Sequence, residues 1–327
     1  MYSDDKDLGS RRVIVTIAGQ IGSGKSSVCR ELNKHTYWEI IATGAIMRRA
    51  AMRSGMSILQ MNKYAMSHAE IDAEVYNYLV NLREGSESII VDSRLAWHFL
   101  PSSLKVYLVV EPQIGAQRIF EATRVDEKYP SVQAAYADSL ERQRLETERY
   151  MKLYSVDCQS WYNYHLVIDT TYASPEQIAS LILKRVRHFQ SAKPYPTECC
   201  ISPKRLIPTK ELPQIISASA VPPGDEVEHQ EFDITKLVDI GVFKGSYLII
   251  NGHKSVSAAI RNNEHLISCN IVAFELEDIS PNLSLESFAK TSISLPLIQM
   301  WEEAHRFHFI SYPSWLAKDL IKTKKPR

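Results

Sequence analysis

Residues 19–26 read Gly19-Gln20-Ile21-Gly22-Ser23-Gly24-Lys25-Ser26 and satisfy the spacing GxxxxGK[ST] at every specified position. Each residue type in that pattern serves phosphate chemistry. Glycines let backbone N–H groups converge on phosphate oxygens with no Cβ in the way. A helix that starts there adds its positive end to the field. Lys25 would reach the β- and γ-phosphates of a nucleoside triphosphate such as ATP, and the Ser26 hydroxyl would ligate Mg²⁺. Ser23 and Ser27 complete the candidate nucleotide-binding set with Gly19, Gly22 and Gly24. A small-molecule kinase also needs arginines to neutralise the transferred phosphoryl group and an acceptor phosphate, and this sequence supplies arginines liberally. Phosphoryl transfer depends on position and charge neutralisation, and planar guanidinium forks supply both.

These residues need a scaffold, and the apolar pattern describes one. The run RRVIVTIAG (11–19) has strand length and β-branched composition, and it feeds the glycine turn and then a helical stretch from Ser26 to Leu32. SIIVDS (88–93), LKVYLVV (104–110) and HLVIDT (165–170) predict further buried parallel strands. Helical stretches over 56–84 and 112–154 lie between them. Strand–helix alternation predicts a doubly wound α/β fold of the P-loop NTPase type, a parallel sheet with helices on both faces, for residues 11–188. Arg94 directly follows a strand, and the carboxyl ends of parallel strands are where sites of such folds form. Asp92, at the same strand end, could hold Mg²⁺ through water or cap a following helix. Arg142 and Arg149 lie among many Glu, so an exposed charged face competes with a functional reading. Trp161, Tyr162 and Tyr164 read as packing residues ahead of a strand.

Composition narrows the classes. The 327 residues, 45% of them apolar, suffice for two domains that need neither disulfides nor metal staples. Thirty-eight Lys and Arg balance 38 Asp and Glu, which disfavours a broadly basic nucleic-acid binder. No apolar run is long enough to span a membrane, and the start MYSDDKDLGS lacks the pattern of a secretory leader. The five cysteines match no zinc spacing, and adjacent Cys199 and Cys200 are poorly placed for one ordinary bridge, so a reducing, cytoplasmic setting is expected. Residues 1–10 read as a tail, and 189–205 as a proline-bearing linker or extended connection. Residues 206–327 then form a smaller α+β domain. Within it, LPQIISASAV and the acidic loop PPGDEVEHQ precede a short helix over 234–241. SYLIINGHKSVSAAIRNN predicts strand, glycine turn and helix, SCNIVAFEL another strand, and KTKKPR a basic tail.

Residues 12–185 resemble the archaeal-type cytidylate kinases, short P-loop nucleoside monophosphate kinases. Ala42-Thr43-Gly44-Ala45-Ile46-Met47-Arg48 resembles the family segment STGDIFR, and Ser54-Gly55-Met56-Ser57 with Asn62-Lys63-Tyr64-Ala65 resembles RGMS…FNKYA. Glu70-Ile71-Asp72 is similar to PEID, and Val91-Asp92-Ser93-Arg94-Leu95-Ala96 to EGRLA. Arg149-Tyr150 through Val156-Asp157 is similar to RY…LYGID, and Leu166–Thr170 to LVIDTS. The resemblance implies a small-molecule nucleotide acceptor contacted by Thr43, Gly44, Arg48 and Arg94. It also implies a lid of Arg118, Arg124, Arg142 and Arg149 over the triphosphate, and Mg²⁺ held by Ser26 and Asp92. No general base is required, because an acceptor phosphate is already anionic. Ala45, Asp92-Ser93 and Ser155 replace family Asp, Glu-Gly and Gly. The acceptor is accordingly open between CMP, dCMP, a modified pyrimidine nucleotide and a non-nucleotide phosphate.

In the second domain, Ile207–Leu212 and Tyr247–Ser255 resemble the ParB/sulfiredoxin-like fold, whose strand–glycine–helix turn binds nucleotide phosphates. That resemblance implicates Gly252, His253 and Lys254, while a purely structural turn is the competing reading. Two rival functions remain: a nucleotide-switched protein whose second domain grips DNA or a partner, and a kinase for a nucleotide within a nucleic acid.

Overall fold

The computed structural model describes residues 12–68, 70–122, 129–189, 197–211, 237–313 and 315–316. The chain divides into two compact units, Met1–Thr197 and Glu198–Arg327. The anticipated tails, LPQIISASAV, the acidic loop PPGDEVEHQ and Arg124 lie outside the described residues, as does much of the proline-bearing connection.

In the first unit, β1 (Ile14–Gly19) is buried at every residue, as a strand covered on both faces must be. It is followed by α1 (Lys25–Thr36), β2 (Glu39–Ala42), α2 (Thr43–Arg53), α3 (Ile58–Ala65) and α4 (Glu70–Asn81). Then come β3 (Ile89–Asp92), α5 (Ala96–Phe99), β4 (Leu104–Val109), α6 (Pro112–Glu121), α7 (Val132–Tyr154), β5 (Leu166–Asp169) and α8 (Pro175–His188). The strands lie in the order β2-β3-β1-β4-β5, all parallel. The chain thus winds outward from β1 in both directions, which opens a crevice at the carboxyl ends of the central strands. Register levels those ends: Ile17 and Ala42 both lie opposite Asp92, and Leu108 lies opposite Gly19. On one face Ile41, Leu79, Val91 and Phe99 pack in a buried cluster; elsewhere in the unit, α1 packs against α8.

Local chemistry sets the helix starts. Ser57 and Ser174 each form a reciprocal capping box with a Gln three residues on, and Pro175 occupies the first turn of α8. The Glu111 carboxylate accepts from the amides of Gln113 and Ile114 at the head of α6. The helical stretch expected over 56–84 is broken. The Ser67 hydroxyl and the His68 ring both bond the Tyr64 carbonyl, an alternative partner that ends α3. The stretch 112–154 is likewise two helices, α7 beginning afresh where the Ser131 hydroxyl accepts from Ala134 N–H. Trp161 and Tyr164 are buried as anticipated, but Tyr162 is 66% exposed and does not pack in the core.

The second unit contains β6 (Glu198–Ile201), β7 (Leu206–Ile207), β8 (Val238–Phe243), β9 (Ser246–Asn251), α9 (His253–Arg261) and β10 (Ile267–Phe274). A hairpin of β11 (Asp278–Ser280) and β12 (Leu283–Ser284) leads to α10 (Leu285–Ser292) and α11 (Leu295–His305). Its sheet runs β6-β10-β8-β9-β7 with mixed directions. The helix expected over 234–241 is not formed where the chain is described, because 238–243 is strand β8. Val238, Ile240 and Phe243 are buried, and pairing with β9 and β10 on both sides satisfies the backbone, which outweighs local helix preference. Part of the expected connection is also ordered, as β6 and a 3-10 turn over Pro203–Arg205. The core gathers Phe243, Leu248, Ala273, Leu285 and Ile298. All five cysteines are buried. Among the described residues no helix is long and apolar enough to cross a membrane.

Candidate active site

The glycine loop joins β1 to α1, and its shape depends on close backbone approaches. A Cβ on Gly19 would fall 2.3 Å from the Leu108 carbonyl oxygen, and one on Gly22 would fall 2.3 Å from that of Gly115. Gly24 has φ 81° and ψ 18°, a left-handed conformation that glycine adopts without strain, and caps α1 with no side-chain hydrogen bond. Gln20 ties the loop to β4: its N–H donates to the Leu108 carbonyl at 2.9 Å and its side-chain oxygen accepts from Val110 N–H at 2.7 Å. The first amides of α1 have no acceptor within the helix. The Ser23 hydroxyl is buried and has no hydrogen-bond partner among the described residues. An orphaned polar atom beside converging amides is what a bound phosphate oxygen would satisfy, so the loop fits the phosphates of a nucleotide.

Lys25 curls over this loop and donates to the carbonyls of Gly19 and Gln20, each at 3.0 Å. Burial pulls its pKa down to about 8, and the Arg94 charge pushes in the same direction while Asp92 opposes them. The Ser26 hydroxyl donates to Asp92 Oδ2 at 2.8 Å. Asp92 therefore faces the loop, and the position capping α5 is Leu95, so the helix-cap reading of Asp92 does not hold. A hydroxyl and a carboxylate side by side are hard oxygen donors of the kind Mg²⁺ takes. The Ser27 hydroxyl points elsewhere, accepting from Arg30 Nη2 at 3.1 Å.

A cleft beside the loop is lined by Gly19, Gln20, Ile21, Arg94, Gln143 and Glu146, among others. Arg94 enters it from the end of β3. Its carbonyl accepts from the Trp97 indole N–H at 2.9 Å, and its guanidinium forms an ion pair with Glu146 of α7. Burial lowers the pKa of Arg94, whose reference value is so high that the group stays charged. Arg142 is 7% exposed and lies 3.8 Å from Asp138, so the exposed-face reading fails for it. The same reading fails for Arg149, which is 2% exposed.

Of the four arginines expected to form one lid, the three described ones, Arg118, Arg142 and Arg149, are held at separate places. Arg118 Nη2 donates to the Thr170 carbonyl at 2.7 Å and its Nη1 to the Thr170 hydroxyl at 3.2 Å, beyond the end of β5. Arg149 joins α7 to α3 and α4 through Asn62 Oδ1 at 3.1 Å and Asp72 at 3.3 Å. Of the three described members, Arg142 alone acts electrostatically on Lys25 together with Arg94. On the acceptor side, Thr43 is buried at the start of α2, and the Arg48 guanidinium folds back over Gly44, 3.3 Å from where a Cβ would stand.

Sequence reasoning did not find Glu146, Gly115 or the Gln143–Gln159 amide pair, joined at 2.6 Å. A signal for Glu146 was present: Arg142, Glu146 and Arg149 recur at i, i+4 and i+7, the spacing of one buried helix face, which also holds Leu145. In the second unit the expected trio separates. His253 is 2% exposed and its Nε2 accepts from Thr209 N–H at 3.0 Å, while Lys254 is exposed. Burial lowers the His253 pKa to about 4, with the Lys210 charge adding to the effect, so the ring is neutral near pH 7. A buried neutral imidazole that accepts a backbone amide holds structure together and supplies no positive charge to an anion.

A parallel α/β sheet with a lysine-bearing glycine loop at the carboxyl ends of its strands, and an arginine in the cleft beside it, defines a P-loop phosphotransferase. A family model described as an AAA domain matches residues 15–138. The cytidylate kinase of Pyrococcus abyssi is 31% identical over 177 residues, spanning 54% of this chain and 94% of that protein. That of Thermoplasma volcanium is 34% identical over 187 residues, covering 55% and 95% respectively. That of Thermococcus sibiricus is 30% identical over 182 residues, covering 55% and 91%. The chain belongs to the cytidylate kinase family and is an enzyme of the nucleoside monophosphate kinase class.

Proposed function

We propose that the first unit transfers the γ-phosphoryl group of ATP to CMP, dCMP or a closely related pyrimidine nucleoside monophosphate, with residues 11–188 as the catalytic domain and the second unit as an accessory to it. The observation that carries this reading is the pair of anion sites at one sheet edge. Lys25 lies on the loop, Arg94 lines the cleft beside it, and both Arg94 and Arg142 act on the charge of Lys25. Two phosphate groups repel each other, and this arrangement neutralises both where they must meet.

In the reaction, an oxygen of the acceptor phosphate forms a new P–O bond to the γ-phosphorus as the bond from that phosphorus to the β–γ bridging oxygen breaks. The products are ADP and a nucleoside diphosphate. Lys25 would leave the Gly19 and Gln20 carbonyls for the β- and γ-oxygens. Arg94, with Arg142 beside it, would orient the acceptor phosphate, and Arg48 and Thr43 the part of the acceptor near α2. Ser26 and Asp92 would hold Mg²⁺, which when bound neutralises charge on the triphosphate. Gly22 against Gly115, and Gln20 against β4, keep the loop from opening.

The test is coupled ADP release from the full-length protein with a panel of nucleoside monophosphates. CMP and dCMP should give the highest kcat/KM. Silence with every nucleotide, despite tight ATP binding, would remove the reading.

A further inference from the structure

Among the described residues lining the cleft, Glu146 is the only acid. Its side chain is 8% exposed, so little water screens it, and it is ion-paired to the Arg94 guanidinium. Of the other cations of α7, Arg149 is engaged with Asp72 and Asn62, and Arg142 lies 3.8 Å from Asp138. A fixed anion beside a phosphate site repels the substrate, unless it occupies the substrate's own place on the cation. A carboxylate and a phosphate both present paired oxygens to a planar guanidinium, so either can fill the same fork.

Resting on the phosphotransfer reading above, we propose that Glu146 is an exchangeable counter-ion. It holds the Arg94 fork across the cleft while no acceptor is present and yields it to the acceptor's phosphate on binding. Trp97 holds the backbone of Arg94 through its carbonyl, so the exchange is a movement of side chains and not of the strand end. Glu146 is in this sense a positioning residue that sets acceptor affinity through Arg94.

The direction of the effect separates exchange from simple support. Glu146→Gln keeps the shape and removes the competing charge. The acceptor KM should fall about fivefold to tenfold, with kcat within about twofold of the parent. In an Arg94→Ala background the same change should give no gain, since the benefit passes through Arg94. An unchanged or raised KM in Glu146→Gln would mean that the carboxylate merely props the arginine, and would overturn the proposal. Should that variant fold poorly, Glu146→Asp withdraws the carboxylate by one methylene, and a lowered KM is expected there too; a raised one counts against exchange. Calorimetric binding of inorganic phosphate to the ADP-loaded protein supplies a readout independent of acceptor identity. Tighter phosphate binding in Glu146→Gln than in the parent supports exchange even where no nucleotide in the panel is phosphorylated, and equal binding refutes it.

Discussion

Gly24 and Gly252 hold nearly the same backbone conformation, φ 81° and ψ 18° against φ 95° and ψ 18°, each at the point where a strand becomes a helix. Neither helix has a side-chain cap, and each begins with a residue capable of positive charge, Lys25 in one and His253 in the other. By local geometry both turns are ready to receive an anion. Their surroundings part them. Lys25 sits in the fields of Asp92, Arg94 and Arg142, brought together by the level ends of parallel strands and by α7. His253 turns inward to take the Thr209 amide, with the ring of Trp301 6.3 Å away, and stays neutral. A glycine-started helix is therefore only half of a phosphate site. The other half is a set of charges held from distant parts of the chain.

Lys25→Ala should do the most damage, lowering kcat by about 10²–10³-fold while the far-ultraviolet circular dichroism of the protein stays unchanged. A near-normal rate would break the contrast between the two turns. Arg149→Ala should cost about 3 kcal/mol of unfolding free energy in a urea titration, the low end for a broken buried pair. The low end applies because burial already raises the Asp72 pKa, so the carboxyl can take up a proton once its partner is gone. A loss well below that would show that the buried charges of the first unit are less costly to disturb than their burial implies.

His253→Ala should destabilise the protein by about 1–2 kcal/mol, because the buried Thr209 amide loses its acceptor. Binding of inorganic phosphate to the variant should match that of the parent, and a loss of binding would restore His253 as an anion contact. Acid should act in the same place. With a folded pKa of about 4, the folded state takes up fewer protons than the unfolded chain below about pH 6.5, so stability falls as the pH drops from there toward 4. The glycine loop has an alkaline response of its own. Lys25 loses its proton above about pH 8 in the nucleotide-free enzyme, so kcat/KM for ATP should decline by roughly tenfold per unit beyond that point. The stability sign is opposite: between about 8 and 10.5 the unfolded chain binds more protons at this lysine, and stability rises with pH. A flat kcat/KM profile to pH 9.5 would show that the loop holds Lys25 charged more firmly than its burial allows.

Residue order alone determined the parallel sheet, the glycine loop and the placing of Asp92 and Arg94 at a strand end. These rest on short-range rules: β-branched runs favour buried strands, and glycine alone tolerates the turn. The strand–glycine–helix turn of the second unit was legible for the same reason. Tertiary packing decided the rest. Whether Arg142 and Arg149 face water or the interior depends on what covers α7, and Asn62 and Asp72, 87 and 77 positions away from Arg149, are brought to it only by folding. Strand β8 replaced an expected helix because two neighbouring strands supplied hydrogen bonds that no local preference could foresee. His253 became a neutral core residue through one amide 44 residues earlier in the chain, and Glu146 entered the cleft on a helix whose charged residues look alike in sequence. Composition and spacing name the groups able to carry charge; the burial that sets their strength and partners exists only once the chain is folded.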